Sequence, residues 1–265
     1  MTTYVWLTLA GLLAGYINAM AGAGSLLTLP ALVFTGLDAN TANATNRIAV
    51  LFQTMATSYT FRQSGISLKT RDLWVCMPAF LGTVLGAYAA TLVSNAHMQL
   101  AIALVMGAMV PALWLPAFKK ESVYRFGGLP FSWGALFVFT GIGFYIGFIQ
   151  AAAGILILLY LGIMHGVSLI YANALKVVIT MLLTVVSLSI FSINHMHIDI
   201  TRGLLLSAST SIGGVIGAKM AIRRGEKLIR VILAIVIIAS AAKLTLDTFY
   251  QFQTARRHDV NNDAQ

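Results

Sequence analysis

GYINAMAGAGSLLTLPALVFTGLDANTANATNR, running from Gly15 to Arg47, decides how the chain is read. It gathers glycines, amides, hydroxyls, one proline and one cation inside a region otherwise apolar enough to lie in lipid. Its surroundings fix the class. Of the 265 residues 58% are hydrophobic and only 9% charged, with a mean hydropathy of +0.85, whereas a soluble domain carries about 25% charged residues. Apolar runs long enough to cross about 30 Å of hydrocarbon recur along the whole length. Period-2 alternation is missing, so the expected fold is all-α. The net charge of +9 would suggest nucleic acid in a soluble protein. Here Lys and Arg sit mostly in short loops, where they set orientation, and no nucleic-acid partner is expected. A single Cys76 rules out an intrachain disulfide and any multi-cysteine metal site. The beginning, MTTYVWLTLAGLL, lacks a basic n-region and reads as the first membrane segment itself.

Outward from the opening stretch, apolar segments fall at 4–22, 25–37, 41–61, 73–94 and 98–118, and again at 131–150, 153–164, 169–192, 203–222 and 228–249. These give roughly 8 to 10 membrane segments. The two sets are related. Gly15-Tyr-Ile-Asn18-Ala-Met-Ala-Gly22 matches Gly147-Phe-Ile-Gln150-Ala-Ala-Ala-Gly154 at an offset of 132 (147 − 15). Gly36 and Ala42-Asn43-Ala44 recur as Gly166 and Ala172-Asn173-Ala174 at 130, and Thr70-Arg71, Gly82 and Gly86-Ala87 recur as Thr201-Arg202, Gly213 and Gly217-Ala218 at 131. Three blocks in the same order indicate an internal duplication. The chain divides into a first membrane repeat at 1–120, a linker loop at 121–130, a second repeat at 131–250 and a polar tail at 251–265.

Loops 62–72, 119–130 and 222–230 are basic and read as cytoplasmic, while 94–97 and 193–202 are nearly neutral and read as external. Equivalent loops therefore carry opposite bias, the mark of inverted repeats. Each half then crosses an odd number of times with both termini outside, although Arg256-Arg257 speaks against this. The second segment of each half is too short to span, so segments one and two are expected to form a broken-helix or re-entrant hairpin. Irregular backbone at that depth is tolerated only where it is buried in protein or lines a cavity. Secondary transporters recurrently use this layout.

Arg47 and Lys176 lie about two turns inside the third segment of their halves. A cation there is costly unless paired, hydrated or snorkelling to the headgroups. All eight acids are Asp38, Asp72, Glu121, Asp199, Glu226, Asp247, Asp259 and Asp263, and only Asp247 sits in an apolar segment, four residues after Lys243. An interior with cations and few acids suits an anion. Asn18 and Gln150 precede the glycine runs at matching positions. Ser25, Thr28, Asn43, Asn46, Gln53 and Asn173 add neutral donors, although Asn43 and Asn173 can equally hydrogen-bond between helices to fix the fold. A helix starting at Gly24-Ser25 would aim free N–H groups at an anion. The GxxxG pairs Gly82/Gly86 and Gly213/Gly217 are read as packing. His165 ends a segment without an evident role, and His195 and His197 stand without thiols, so no metal site is expected. No Walker motif, HExxH or GxSxG occurs, which leaves neither an enzyme, a cofactor nor an ATP-driven pump.

In A14-G-Y-I-N-A-M-A-G-A-G-S-L-L-T-L-P30, A42-N-A-T-N-R47, G143-F-Y-I-G-F-I-Q-A-A-A-G154 and A172-N-A-L-K176 the chain resembles the TauE/SafE sulfite exporter family over nearly its whole length. Ala151-Ala152-Ala153 depart from the glycine or proline often found there. The resemblance implies transport of sulfite, sulfonates or related organosulfur anions across the bacterial inner membrane. The reading is therefore a multi-pass secondary transporter working by alternating access on a small anion, with Arg47, Lys176, Asn18, Gln150, Ser25, Asn43, Asn46 and Asn173 as substrate-binding candidates. Beyond lipid and substrate, a homo-oligomer is compatible with the sequence. An anion channel or a non-transporting assembly subunit are the alternatives.

Overall fold

The computed structural model describes residues 2–108, 132–165 and 168–223. The linker at 121–130, the segment at 228–249 and the tail at 251–265 lie outside them, as do most of the loop at 222–230 and the end of the segment at 98–118. Within the described residues the chain is helical throughout, without strands. The order is α1 (Thr2–Ala21), α2 (Ser25–Phe34), α3 (Ala39–Gln63), a 3-10 turn at Thr70–Val75 running into α4 (Cys76–Leu92), α5 (Asn95–Ala108), α6 (Trp133–Phe148), α7 (Ala153–His165), α8 (Leu169–Ile193) and α9 (Ile200–Arg223). Among the described residues four stretches are long and apolar enough to cross a membrane: Thr3–Ala21, Thr70–Leu92, Leu169–Ile193 and Ile200–Arg223.

The sequence explains where these helices start and stop. Asp38 caps α3 by accepting from the Thr41 amide at 2.9 Å. Ser168 does the same for α8 at Tyr171, and Ser132 caps α6 at Ala135. Gly22 and Gly65 take positive φ values of 75° and 82°, stopping α1 and α3 with a conformation that side chains resist. α2 has 10 residues, about 15 Å of helix, half of what a span requires. The short second segments are thus real, and α1–α2 and α6–α7 are interrupted helix pairs.

α3 is 25 residues long, yet it is not among the four apolar spans. Its polar side chains point inward: Asn43, Thr45, Asn46, Arg47, Gln53, Thr54 and Thr57 are all buried, while Phe52, Met55 and Tyr59 are exposed. Such an arrangement suits a helix that is wetted by protein inside and by lipid outside. Its counterpart α8 is also 25 residues long and starts 130 residues later (169 − 39).

The halves are tied together crosswise. On α4, a Cβ at Gly82 or Gly86 would sit 2.0 Å from the Thr140 or Phe144 carbonyl oxygen of α6. On α6, a Cβ at Gly143 would meet the Ala79 oxygen of α4 at 2.0 Å. The same relation joins α1 and α9, where a Cβ at Gly15 would lie 2.0 Å from the Thr210 oxygen and one at Gly213 2.0 Å from that of Leu12. Both GxxxG pairs therefore serve close helix packing. Each outer helix pairs with a helix of the other half. Between them Gly22 and Gly154 touch: a Cβ on either would come within 2.5 Å of the Cα of its mate.

Candidate functional site

α1 and α6 end inside the protein, and a helix C-terminus leaves carbonyls without intrahelical partners. Away from water these must be satisfied. The third helix of the opposite half satisfies them. From α3, Arg47 donates to the Ile146 and Gly147 carbonyls of α6 at 2.5 and 3.0 Å, and Asn43 donates to Phe148 at 2.8 Å. From α8, Lys176 donates to the Asn18 carbonyl of α1 at 2.8 Å, and Asn173 donates to Met20 at 3.0 Å. A cation at the negative end of a helix dipole is favoured. The A-N-A motifs thus build crossed C-terminal clamps.

The two cations are nevertheless not equivalent. The helices repeat at 130, which pairs Lys176 with Asn46 and Arg47 with Val177. One residue is about 100° around a helix, so the two face different surroundings. Arg47 is 0% exposed and lies over the Phe191 ring at 5.2 Å. It also donates to Gln150 Oε1 at 2.6 Å and to Asn43 Oδ1 at 3.3 Å, leaving only its Nε without an acceptor. Lys176 Nζ uses two of its three donors, on the Asn18 carbonyl and on Asn173 Oδ1 at 2.6 Å. Asp199 pairs with Arg202, away from both cations.

Lys176 lines a small cleft where the interrupted pairs meet, together with Asn18, Gly22, Ser25, Val50, Thr54, Gln150, Ala153, Gly154, Val177 and Thr180. A second cleft adjoins it, sharing Asn18, Ser25 and Val50 and adding Thr28, Asn46, Gln53 and Thr210. Of the sequence-based candidates, Lys176, Asn18, Gln150 and Ser25 converge on the first cleft and Asn46 on the second. Asn43, Asn173 and Arg47 stand behind these walls as clamps. Gln150 holds a left-handed backbone at φ 60° and Ala152 one at 53°, each costing about 1 to 2 kcal/mol without glycine. The fold spends that strain to turn the Gln150 amide inward, where its Nε2 donates to Thr184 Oγ1 at 2.6 Å. Asn18 is held in parallel, donating to Gln53 Oε1 at 2.6 Å and accepting from the Gly24 amide at 3.3 Å. Sequence reading missed Thr54, Thr180 and Thr184. The signal was present: Lys176, Thr180 and Thr184 recur at i, i+4, i+8, one face of a helix.

Asp72 is 1% exposed although its loop, 62–72, reads as a basic cytoplasmic one; the Tyr171 hydroxyl bonds it. It belongs to the contact between the 3-10 turn and α8, away from both clefts. His165 falls at the end of α7, and its side chain lies outside the described residues.

Residues 7–244 match the TauE/SafE sulfite exporter family. The chain belongs to this family. Among TauE/SafE relatives, the probable membrane transporter protein YfcA of Escherichia coli (strain K12) is 31% identical over 243 residues, 91% of this chain and 88% of that one. A probable membrane transporter protein of Haemophilus influenzae is 28% identical over 240 residues, covering 89% and 92%. The probable membrane transporter protein ORF9 of a Sinorhizobium species is 26% identical over 243 residues, covering 91% and 92%. No solved structure matches the chain. A TauE/SafE member with several membrane-crossing helices and bacterial relatives is a multi-pass protein of the inner membrane.

Proposed function

We propose that the chain is a secondary transporter of a small organosulfur anion, sulfite or a sulfonate, working by alternating access between two inverted repeats rather than by catalysis. The observation that carries this reading is the Lys176 ammonium, 2% exposed, lining a cleft of neutral donors with no carboxylate among its hydrogen-bond partners. A buried charge without a counter-ion is strongly unfavourable, and an anionic substrate would neutralise it. Asn18, Gln150 and Ser25 would donate to substrate oxygens, and charge-assisted bonds of this kind are among the stronger ones. Inversion is supported by the opposite loop charges and the crossed pairing, and rocking by the glycine contacts between α1 and α9 and between α4 and α6.

Purified protein in liposomes tests this with radiolabelled sulfite. Saturable uptake, accelerated by unlabelled sulfite on the far side and lost in Lys176→Gln, is the expected result. Flux that never saturates would favour a pore instead. Uptake equal in Lys176→Gln and the parent would remove Lys176 from the site.

A further inference from the structure

Both amides that line the first cleft, Asn18 and Gln150, face a group that can only donate, and this removes a freedom that carboxamides ordinarily have. The Arg47 guanidinium faces Gln150 Oε1 at 2.6 Å, and the Gly24 backbone N–H faces Asn18 Oδ1 at 3.3 Å. Guanidinium, ammonium and backbone N–H groups never accept, so the oxygen end of each amide must turn toward them. The NH2 ends then face the other way. Gln150 uses one N–H on Thr184 and Asn18 uses one on Gln53, which leaves one donor on each. Lys176 has its third N–H left, and the Ser25 hydroxyl, which accepts from Asn46 at 3.4 Å, keeps its proton.

We propose that Arg47 is a positioning residue that sets the polarity of the first cleft from behind: by holding Gln150 Oε1 it turns the Gln150 NH2 toward the cleft, beside the free donors of Asn18, Lys176 and Ser25, a group fitted to an oxyanion head group with several acceptor oxygens. This rests on the anion reading above and adds that the sequence's most prominent cation does not touch the substrate. Arg47 lines neither cleft, and Gln150 stands between it and the first. Without Arg47 the carboxamide can turn over and present Oε1 to the cleft, where it repels an anion and welcomes a cation or a hydroxyl. The left-handed backbone of Gln150 fits this role, since it directs the side chain from the end of α6 toward α3 and α8 at once.

The experiment compares the parent with Arg47→Gln, Arg47→Lys and Gln150→Glu in liposomes, reading half-saturation and maximal rate for radiolabelled sulfite. Thermal midpoint shifts with sulfite and with methanesulfonate accompany it. Arg47→Gln should raise half-saturation at least about tenfold, the effect of one misdirected buried polar group, with the maximal rate changing less. Arg47→Lys, which keeps a donor against Gln150, should recover most of it. Gln150→Glu keeps Arg47 paired but exchanges NH2 for an acceptor, and should lose the ligand-induced midpoint shift without lowering the ligand-free midpoint. A merely structural Arg47 would instead lower maximal rate and midpoint together and leave half-saturation unmoved; that pattern overturns the proposal. So does Gln150→Glu with a parental shift, which decides the matter even where both Arg47 variants fail to fold. A parent protein that ignores both probes overturns the anion reading and this inference together, whereas a responsive parent with an unchanged Arg47→Gln overturns this inference alone.

Discussion

Gly141 and Gly143 sit two residues apart on α6, and replacing each by alanine separates helix propensity from helix contact. A Cβ at Gly141 meets nothing within 4 Å, whereas one at Gly143 would lie 2.0 Å from the Ala79 carbonyl oxygen. Carbon and oxygen settle at about 3.3 Å or more, so α4 and α6 would have to part by about 1.3 Å at that level. Overpacking of this kind costs about 1 to 3 kcal/mol, and the glycines at 82, 86 and 147 that share the contact lose their fit as well. Against this stands a gain of about 1 kcal/mol from alanine in a helix, which Gly141→Ala collects in full. Gly143→Ala should therefore lower the thermal midpoint in detergent by several degrees, and Gly141→Ala should leave it equal or raise it. The α1–α9 pair supplies a replicate in Gly15→Ala, whose Cβ would lie 2.0 Å from the Thr210 oxygen. Equal midpoints for Gly141→Ala and Gly143→Ala would refute the close approach of α4 to α6.

Further outcomes follow from single contacts. Asp38→Ala removes the cap of α3 and should cost about 1 kcal/mol, while Asp38→Asn should restore the melting midpoint; a silent Asp38→Ala would mean that the cap contributes nothing. At Gly36 φ is 92° and a Cβ would find open space, whereas at Gly22 φ is 75° and a Cβ would strike Gly154. Gly36→Ala should thus cost only the conformational penalty of about 1 to 2 kcal/mol, and Gly22→Ala should be far worse, judged by the monodisperse yield on size exclusion. For Asp199, burial pushes the carboxyl up, but the hydrogen bonds and charge of Arg202, with His197, outweigh it and hold the group below the usual carboxylate value. A depressed native value means stability present above the unfolded pKa of about 3.9 and lost as pH falls through the native one. Acid unfolding of Asp199→Asn should accordingly begin from a lower neutral-pH stability and lose less between pH 5 and pH 2 than the parent; parallel acid curves would contradict that.

Much of this protein was decided locally. Hydropathy and capping fixed α1, α3, α8 and α9 to within a few residues, because the length of an apolar run and an Asp or Ser before it act on neighbouring backbone alone. The shortness of α2 and α7 was legible for the same reason, as was the packing role of the paired glycines. The fate of the polar residues was not. Sequence placed Arg47 and Lys176 as near equivalents, but the 130-residue repeat sets them one position apart, and a helix turns that single step into a different neighbourhood. Arg47 found its acceptors at Ile146, Gly147 and Gln150, about a hundred positions away, on a helix end whose free carbonyls exist only once α6 stops there. Which amide lines the cleft and which clamps a helix depends on that crossing of halves. The opening stretch from Gly15 to Arg47 by itself determined a membrane-embedded polar island; only the tertiary structure decided that its glycine faces Gly154, its arginine serves the other half, and the cation left facing the cleft is Lys176. Local free energies set the helices, whereas the need to satisfy buried carbonyls and charges without water can be met only by partners that folding brings together.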